Sequence, residues 1–355
     1  MTSLEDLRAR IDNLDNDLIE LLDQRMQVIK EVGELKRHQQ SGIYRPEREK
    51  VIVDRLYERS KGLLSKAAIE AIFLEIFAVS RTLELPEKVA YLGPEGSFTH
   101  QAAENRFGAT GSYFPLKTIK GVFDAIDSGR AVFGVIPIEN NQAGAVTETI
   151  ELLSERDVKI VAEMIEPVHF SLASVEDEVT QIHTIYSKDI AFRQCQNFLN
   201  EHFDGDTNFI QVDSTSDAAR RAKKSKGTAS LCSLVAAKTF DIPILFYNVE
   251  DTADNRTRFL IISKEFRNQK SGHDKTSVLA KIKDEPGSLV DLLQAFEKRN
   301  INLTKIDSRP AKLGAQFKYW FLIDFEGHHE DEAAQEIFAE FGDQMKLLGS
   351  YLKVV

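Results

Sequence analysis

Cysteine is nearly absent: Cys195 and Cys232 are the only two in 355 residues. Two thiols make no disulfide framework, and neither has the spacing of a metal-ligand set, so no bound metal is expected. An excess of basic charge is also missing. Against 56 Asp and Glu stand 45 Lys and Arg, a formal net charge of -11, which argues against a nucleic-acid groove or an anionic membrane surface as partner. A local cluster of Arg and Lys can still override that field for a small anionic substrate. No run approaches the ~18 apolar residues of a spanning helix, and the acidic start Met1-Thr2-Ser3-Leu4-Glu5-Asp6 has no apolar signal core. A cytoplasmic protein without membrane contact is expected. Internal repeats and low-complexity tracts are lacking too. What remains is ordinary globular composition, 42% hydrophobic and 28% charged, in a chain long enough for two or three domains.

The pattern along the chain divides it into residues 1–86, 87–266 and 274–355. Leu4, Leu7, Ile11, Leu14, Leu18, Leu21, Val28, Val32 and Leu35 repeat with 3-4 spacing, which predicts one long helix. A turn near Ser41-Gly42 and Pro46 leads to a second helix from about Glu47, and a third runs from about Ser65 to Glu84. From Lys88 short β-rich runs alternate with helices. The strand candidates are 89–92, 132–136, 182–186, 229–232 and 258–262, an α/β pattern over two lobes. After a polar stretch at 266–274, the order from 276 onwards is βαββαβ, a ferredoxin-like α+β arrangement.

A helix of ~35 residues cannot bury its apolar stripe against itself, so partner helices, plausibly from a second copy, are expected. At 100° per residue, Arg25 and Lys36 share the direction of Ile11, Leu18 and Val32. Charge on a buried face is costly unless matched, which leaves an internal ion pair or a pocket for an anion. Arg25 and Lys36 are about 16 Å apart along the axis and can lean over one small dicarboxylate. Arg8 is about 25 Å from Arg25, too far to share that ligand within one chain, but an interlaced dimer could deliver it.

Leu7-Arg8-Ala9-Arg10-Ile11, Leu14-Asp15, Arg25, Val32-Gly33-Glu34-Leu35-Lys36, Arg48-Glu49 and Ser80 resemble the all-helical chorismate mutases. The resemblance implies an interlaced homodimer in which Arg8 of the partner copy, Arg25 and Arg48 bind the substrate carboxylates, with Ser80 in the same pocket. Lys36 would donate to the ether oxygen of chorismate, and Glu49 would accept from the ring hydroxyl. The rearrangement to prephenate is pericyclic and needs no cofactor; it needs the compact conformer held and negative charge stabilised on the ether oxygen. Where the best-known bacterial form has a Gln as second donor to that oxygen, this chain has Glu84. A carboxylate donates only when protonated, so a mutase rate that falls with rising pH is expected.

Three loops of the middle region combine strand ends with small and polar residues. Tyr91-Leu92-Gly93-Pro94-Glu95-Gly96-Ser97-Phe98 is a strand, a Gly turn and a helix start suited to anions; it lacks the Gly-Lys-Ser/Thr ending of a nucleotide loop. Ile136-Pro137-Ile138-Glu139-Asn140-Asn141 and Asn255-Arg256-Thr257-Arg258-Phe259 are the others. In this order they resemble the prephenate dehydratases. That implies two α/β lobes with substrate at the strand ends, Thr257 as the catalytic hydroxyl, Glu139, Asn140, Ser187 and Gln194 as pocket residues, and Arg258 and Phe259 holding the loop. Lys188-Asp189 stands where the family usually has His-Pro. Cys195 reads as a packed thiol.

Asp284-Glu285-Pro286-Gly287-Ser288-Leu289-Val290 and Asp307-Ser308-Arg309-Pro310 resemble the ligand motifs of ACT domains attached to such dehydratases, with Ser288 for the usual Ala and Asp307 for the usual Glu. The resemblance implies that Gly287, Ser288, Leu289, Val290, Asp307, Ser308, Arg309 and Pro310 bind L-phenylalanine at a subunit interface and couple it to the central domain. Together the three resemblances imply a bifunctional chorismate mutase and prephenate dehydratase. A purely amino-acid-sensing protein is the alternative from another class; Thr257, Glu139, Arg25 and Lys36 weigh against it, since a sensor needs no leaving-group donor. Arogenate in place of prephenate is a second alternative that the residues leave open.

Overall fold

The computed structural model describes residues 3–39, 46–84, 88–203, 205–282, 285–311 and 318–354, and the side chains of all of these except 36–39, 309–311 and 318–319. The turn expected at Ser41-Gly42 lies outside the described residues.

Two compact units emerge, one of 1–87 with 107–112 and one of 88–106 with 113–355. The first holds α1 (Leu4–Gln39), α2 (Pro46–Arg59) and α3 (Lys66–Glu84). Ser3 and Asp6 begin α1 reciprocally: Asp6 N–H donates to Ser3 Oγ at 3.0 Å and Ser3 N–H to Asp6 Oδ2 at 2.9 Å, which satisfies two otherwise orphaned donors. Pro46 opens α2, where its missing N–H costs nothing, and Ser65 Oγ accepts Ala68 N–H ahead of α3. Val53, Ile69 and Phe77 form the local core.

Within one chain the stripe of α1 is only partly covered. Ile11 and Leu18 are each 56% exposed, and among the described side chains of α1 the half-buried or buried positions are confined to 22–33. The reason is length: α1 runs about 54 Å and α3 about 28 Å, so α3 covers only the C-terminal half. There the helices close tightly, since a Cβ on Gly33 would sit 3.0 Å from Glu84 Cα.

The second unit begins with β1 (Lys88–Leu92), α4 (Phe98–Phe107), β2 (Ser112–Leu116), α5 (Ile119–Asp127), β3 (Phe133–Asn140), β4 (Gly144–Ala145), α6 (Thr147–Glu155) and β5 (Lys159–Pro167). A second lobe follows: β6 (Ser171–Ser174), β7 (Thr184–Ser187), α7 (Asp189–Gln194), α8 (Gln196–His202), β8 (Asn208–Gln211), α9 (Thr215–Ala222), β9 (Thr228–Cys232), α10 (Leu234–Thr239) and β10 (Ile244–Phe246). The chain then returns to the first lobe as β11 (Arg256–Ser263). The first sheet has the order β2-β1-β3-β11-β5 and the second β10-β6-β9-β7-β8. β11 runs antiparallel to both neighbours, with Thr257 opposite Asn140 and Arg258 opposite Glu139. The five predicted strands lie in or overlap β1, β3, β7, β9 and β11; β2, β4, β5, β6, β8 and β10 are additional.

The C-terminal part is β12 (Asp274–Ala280), α11 (Ser288–Lys298), β13 (Leu303–Ala311), β14 (Lys318–Glu326), α12 (Glu332–Phe341) and β15 (Met345–Leu352). Its antiparallel sheet, β13-β14-β12-β15, is ferredoxin-like as the sequence order implies. Leu279, Leu322, Leu348 and Tyr351 join one core with Ile160 and Leu260 of the first lobe. β15 approaches β5 so closely that a Cβ on Gly349 would meet Ile160 O at 2.1 Å. Among the described residues no helix is long and apolar enough to cross a membrane.

Candidate active sites

In the helical unit, Arg25, Arg48, Glu49, Ser80, Arg81 and Glu84 line a cavity of about 200 Å³ with Ile29, Val32, Ile52 and Phe77. α1 and α3 bring Arg25 and Ser80 together: Nη1 donates to Ser80 Oγ at 2.6 Å, and the Ser80 hydroxyl donates to Ile76 O at 2.6 Å. The Arg25 guanidinium also lies 5.9 Å from the centre of the Phe77 ring. Burial pulls the Arg25 pKa down, and the nearby charge of Glu84 opposes that shift. Glu84 itself is 8% exposed. Glu49 forms an ion pair with Arg81. Arg8 is exposed on the far half of α1 and is not brought to this cavity within one chain. Lys36 lies in α1, and its side chain is outside the described residues. The cavity therefore combines guanidinium groups, carboxylates and a hydroxyl against an apolar wall, the chemistry to grip a small anion and orient its hydroxyl.

A second constellation forms where β3 ends and β11 begins. Asn140 Oδ1 accepts the backbone N–H groups of Gln142 and Ala143 at 3.0 and 2.9 Å. This fixes the amide's orientation, because only its NH₂ can then face the other way. Nδ2 donates to Thr257 Oγ1 at 2.9 Å and to Asn255 Oδ1 at 2.8 Å. The Thr257 oxygen is thus the acceptor of an Asn140 amide hydrogen. Asn255 Nδ2 continues the chain to Gln194 Oε1 at 3.0 Å, and Gln194 Nε2 donates to Gln142. Gln194 ends α7 of the second lobe, so the network spans both lobes.

Glu139 pairs with Lys305 on β13, which links it to the C-terminal sheet. Ser187 stands apart: it is fully buried, and its hydroxyl donates to Leu231 O at 2.7 Å. Arg258 and Phe259 point inward. Phe259 is 2% exposed, and Arg258 contacts Glu163 and Asp324, each at 2.7 Å. Both cysteines are buried and free; burial pushes the Cys195 thiol up, and that of Cys232 up to about 11, so neither is a ready nucleophile.

The two sequence motifs of the C-terminal part occupy separate elements. Gly287, in the left-handed region at φ 92°, caps α11; Ser288 and Leu289 are half-buried and Val290 is 55% exposed. Asp307 and Ser308 lie on the edge strand β13 opposite Leu322 and Phe321. Arg309 and Pro310 continue that strand opposite Trp320 and Tyr319, with side chains outside the described residues.

Sequence reasoning missed Arg81 and Gln142, and it named Asn255 only as part of its loop, without a role. Arg81 was findable by the argument applied to Arg25, since it lies four residues after Phe77 and three before Glu84 on the packed face of an otherwise apolar helix. Gln142 carried no local signal, because its partner is distant in sequence.

Family models match in series: chorismate mutase type II over residues 7–85, prephenate dehydratase over 89–267, and ACT domain over 276–343. The bifunctional chorismate mutase/prephenate dehydratase of Aquifex aeolicus is 39% identical over 100% of this chain and 99% of its own. That of Pseudomonas aeruginosa is 36% identical over 99% of this chain and 98% of its own. Among solved structures, the prephenate dehydratase of Arthrobacter aurescens in complex with L-Phe is 27% identical, with a TM-score of 0.67 over 75% of this chain and 90% of that one. With the anion cavity in its helices, the hydroxyl presented at its strand ends and relatives matching end to end, this chain belongs to the bifunctional chorismate mutase/prephenate dehydratases and carries both activities.

Proposed function

We propose that Arg25, Arg48 and Lys36, with Arg8 from a second copy, hold the carboxylates and ether oxygen of chorismate, while Glu49 accepts from its ring hydroxyl and Ser80 and Glu84 complete the cavity. Exposed Leu7, Ile11, Leu14, Leu18 and Leu21 on α1 support the homodimer this requires, because a stripe of that length needs partner helices. The prephenate formed is consumed at the second site. There Thr257 passes a proton to the departing ring hydroxyl, which leaves as water, and takes one back from solvent water, as the electrons of the broken carbon–carboxylate bond enter the ring and carbon dioxide departs. Asn140 holds Thr257, Gln194 and Glu139 shape the pocket, and Ser187 supports the wall from within. L-Phenylalanine binding at Gly287–Val290 and Asp307–Pro310 lowers this activity. A cytoplasmic setting belongs to the same reading.

The observation that carries the dehydratase assignment is the amide of Asn140 placed 2.9 Å from Thr257 Oγ1. The test supplies chorismate to purified protein and follows phenylpyruvate, with and without L-phenylalanine. Turnover falling as L-phenylalanine is added is expected. Thr257→Ala should accumulate prephenate while mutase turnover continues; phenylpyruvate formed by that variant at the native rate refutes the role of Thr257. Comparing prephenate with arogenate decides the preferred substrate.

A further inference from the structure

The helical cavity contains a guanidinium to which the roles above assign nothing. We propose that Arg81 is a positioning residue for the mutase reaction, acting through Glu49, and that the backbone carbonyl of Phe107 holds it in place. This rests on the reading in which Glu49 receives the ring hydroxyl of chorismate.

Arg81 is 7% exposed and lines the cavity beside Ser80 and Glu84. Its Nη1 pairs with Glu49 Oε1, the side chains being 8% and 17% exposed. Its other terminal nitrogen, Nη2, donates to Phe107 O at 2.8 Å, and the Phe107 ring centre lies 5.8 Å from the guanidinium carbon. A guanidinium is planar and its donors are fixed relative to one another. Anchoring one nitrogen on a peptide carbonyl therefore sets where the other meets the carboxylate. A carboxylate has two oxygens, and fixing Oε1 aims Oε2. Glu49 sits on α2 at the end of a rotatable side chain; without an anchor it samples several rotamers, and the acceptor for the substrate is no longer waiting in one place. Phe107 belongs to the helical unit although it lies within the segment matched by the dehydratase model. A peptide carbonyl from beyond residue 88 thus supports the mutase cavity.

The alternative for Arg81 is direct attraction of the substrate dianion, and a double-mutant cycle separates the two. Mutase kcat and KM are measured in the full chain for wild type, Arg81→Met, Arg81→Lys, Glu49→Gln and Arg81→Met/Glu49→Gln, with dehydratase turnover of added prephenate as the folding control. Arg81→Met is expected to lose about 10²-fold in mutase kcat/KM, mostly in kcat, the scale of a small misplacement, with dehydratase turnover retained. Arg81→Lys restores part of it. In the Glu49→Gln background the same replacement is expected to cost no more than about twofold, the margin of independent sites. An equal loss in both backgrounds overturns the proposal, as does an unimpaired Arg81→Met beside an impaired Glu49→Gln. A fully active Glu49→Gln removes the role of Glu49 and this inference with it. Should Arg81→Met misfold, the cycle is run with Arg81→Lys and is judged by the same criterion.

Discussion

Thr257 donates well only if its hydrogen is not spent on the protein. Asn140 offers that hydrogen no acceptor: two backbone N–H groups hold Oδ1, so the amide NH₂ faces the threonine and Oγ1 acts as acceptor. Asn140→Asp keeps the shape and reverses the polarity. A carboxylate oxygen beside Thr257 captures the hydroxyl proton and adds negative charge where a dianionic substrate must bind. Dehydratase kcat/KM is expected to fall about 10²-fold or more, the contribution of a general acid, with mutase turnover unchanged; an activity within twofold of wild type counts against the arrangement. Thr257 and Asn140 were legible because they fall in contiguous motifs at strand ends. Their bond was not, since it joins residues 117 apart in sequence. Ser187 was legible as a motif residue, but its commitment to Leu231 O was hidden for the same reason.

At the scale of elements, periodicity located the first N-terminal helix, turn and stop signals the next two, and the succession of strand and helix segments after a polar stretch the C-terminal βαββαβ order. Of the missed strands, β10 has three residues, β4 two, β8 is exposed along its length, and the nine-residue β5 is buried at five successive positions, so none of these shows a clean alternation of faces. What periodicity could not give is which neighbour covers an apolar face, as the open half of α1 shows. Its covered half depends on Gly33, where the helix backbone approaches Glu84. Gly33→Ala brings a methyl within 3.0 Å of Glu84 Cα and 3.2 Å of its carbonyl oxygen. Alanine favours helix by about 1 kcal/mol over glycine, yet overpacking costs about 1–3 kcal/mol, and main-chain atoms cannot swing aside. The net expectation is a lower unfolding midpoint for the helical unit and mutase kcat reduced several-fold, while dehydratase turnover persists. Circular dichroism with both assays checks it; a stabilised variant with native mutase activity would show that α1 and α3 are not held this closely.

For the dehydratase and C-terminal parts taken as one body, the joint is polar as well as apolar. Arg258 Nη2 meets Glu163 and Asp324 at 2.7 Å each and Tyr351 Oη at 3.2 Å. Ser277 Oγ in turn donates to Asp324 Oδ1 at 2.6 Å, and Lys275 pairs with Glu163. Burial opposes the charge of Arg258, but Tyr351, Asp324 and Glu163 outweigh it and raise its pKa; burial, with Asp324 and Glu163, pushes the Tyr351 phenol well above its ordinary value. The sequence marked Arg258 as a loop-holding residue, but its partners on β5, β14 and β15 become visible only when the C-terminal sheet is docked. Because Arg258 directly follows Thr257, this joint anchors the strand that carries the hydroxyl, and Lys305 reaching Glu139 gives a second tie to the same strand ends. Removing one member of a buried ion pair costs about 3–5 kcal/mol, because a charge is left uncompensated, whereas removing both is often far milder. Arg258→Met is therefore expected to lower stability by that amount, and Asp324→Asn by less, since Glu163 still faces the guanidinium. Combined, Arg258→Met/Asp324→Asn should lose clearly less than the sum. Urea unfolding of the full chain, followed by the transition that coincides with loss of dehydratase activity, measures the four proteins. Strict additivity would mean that Arg258 and Asp324 act separately and that the C-terminal sheet is held by its apolar core alone.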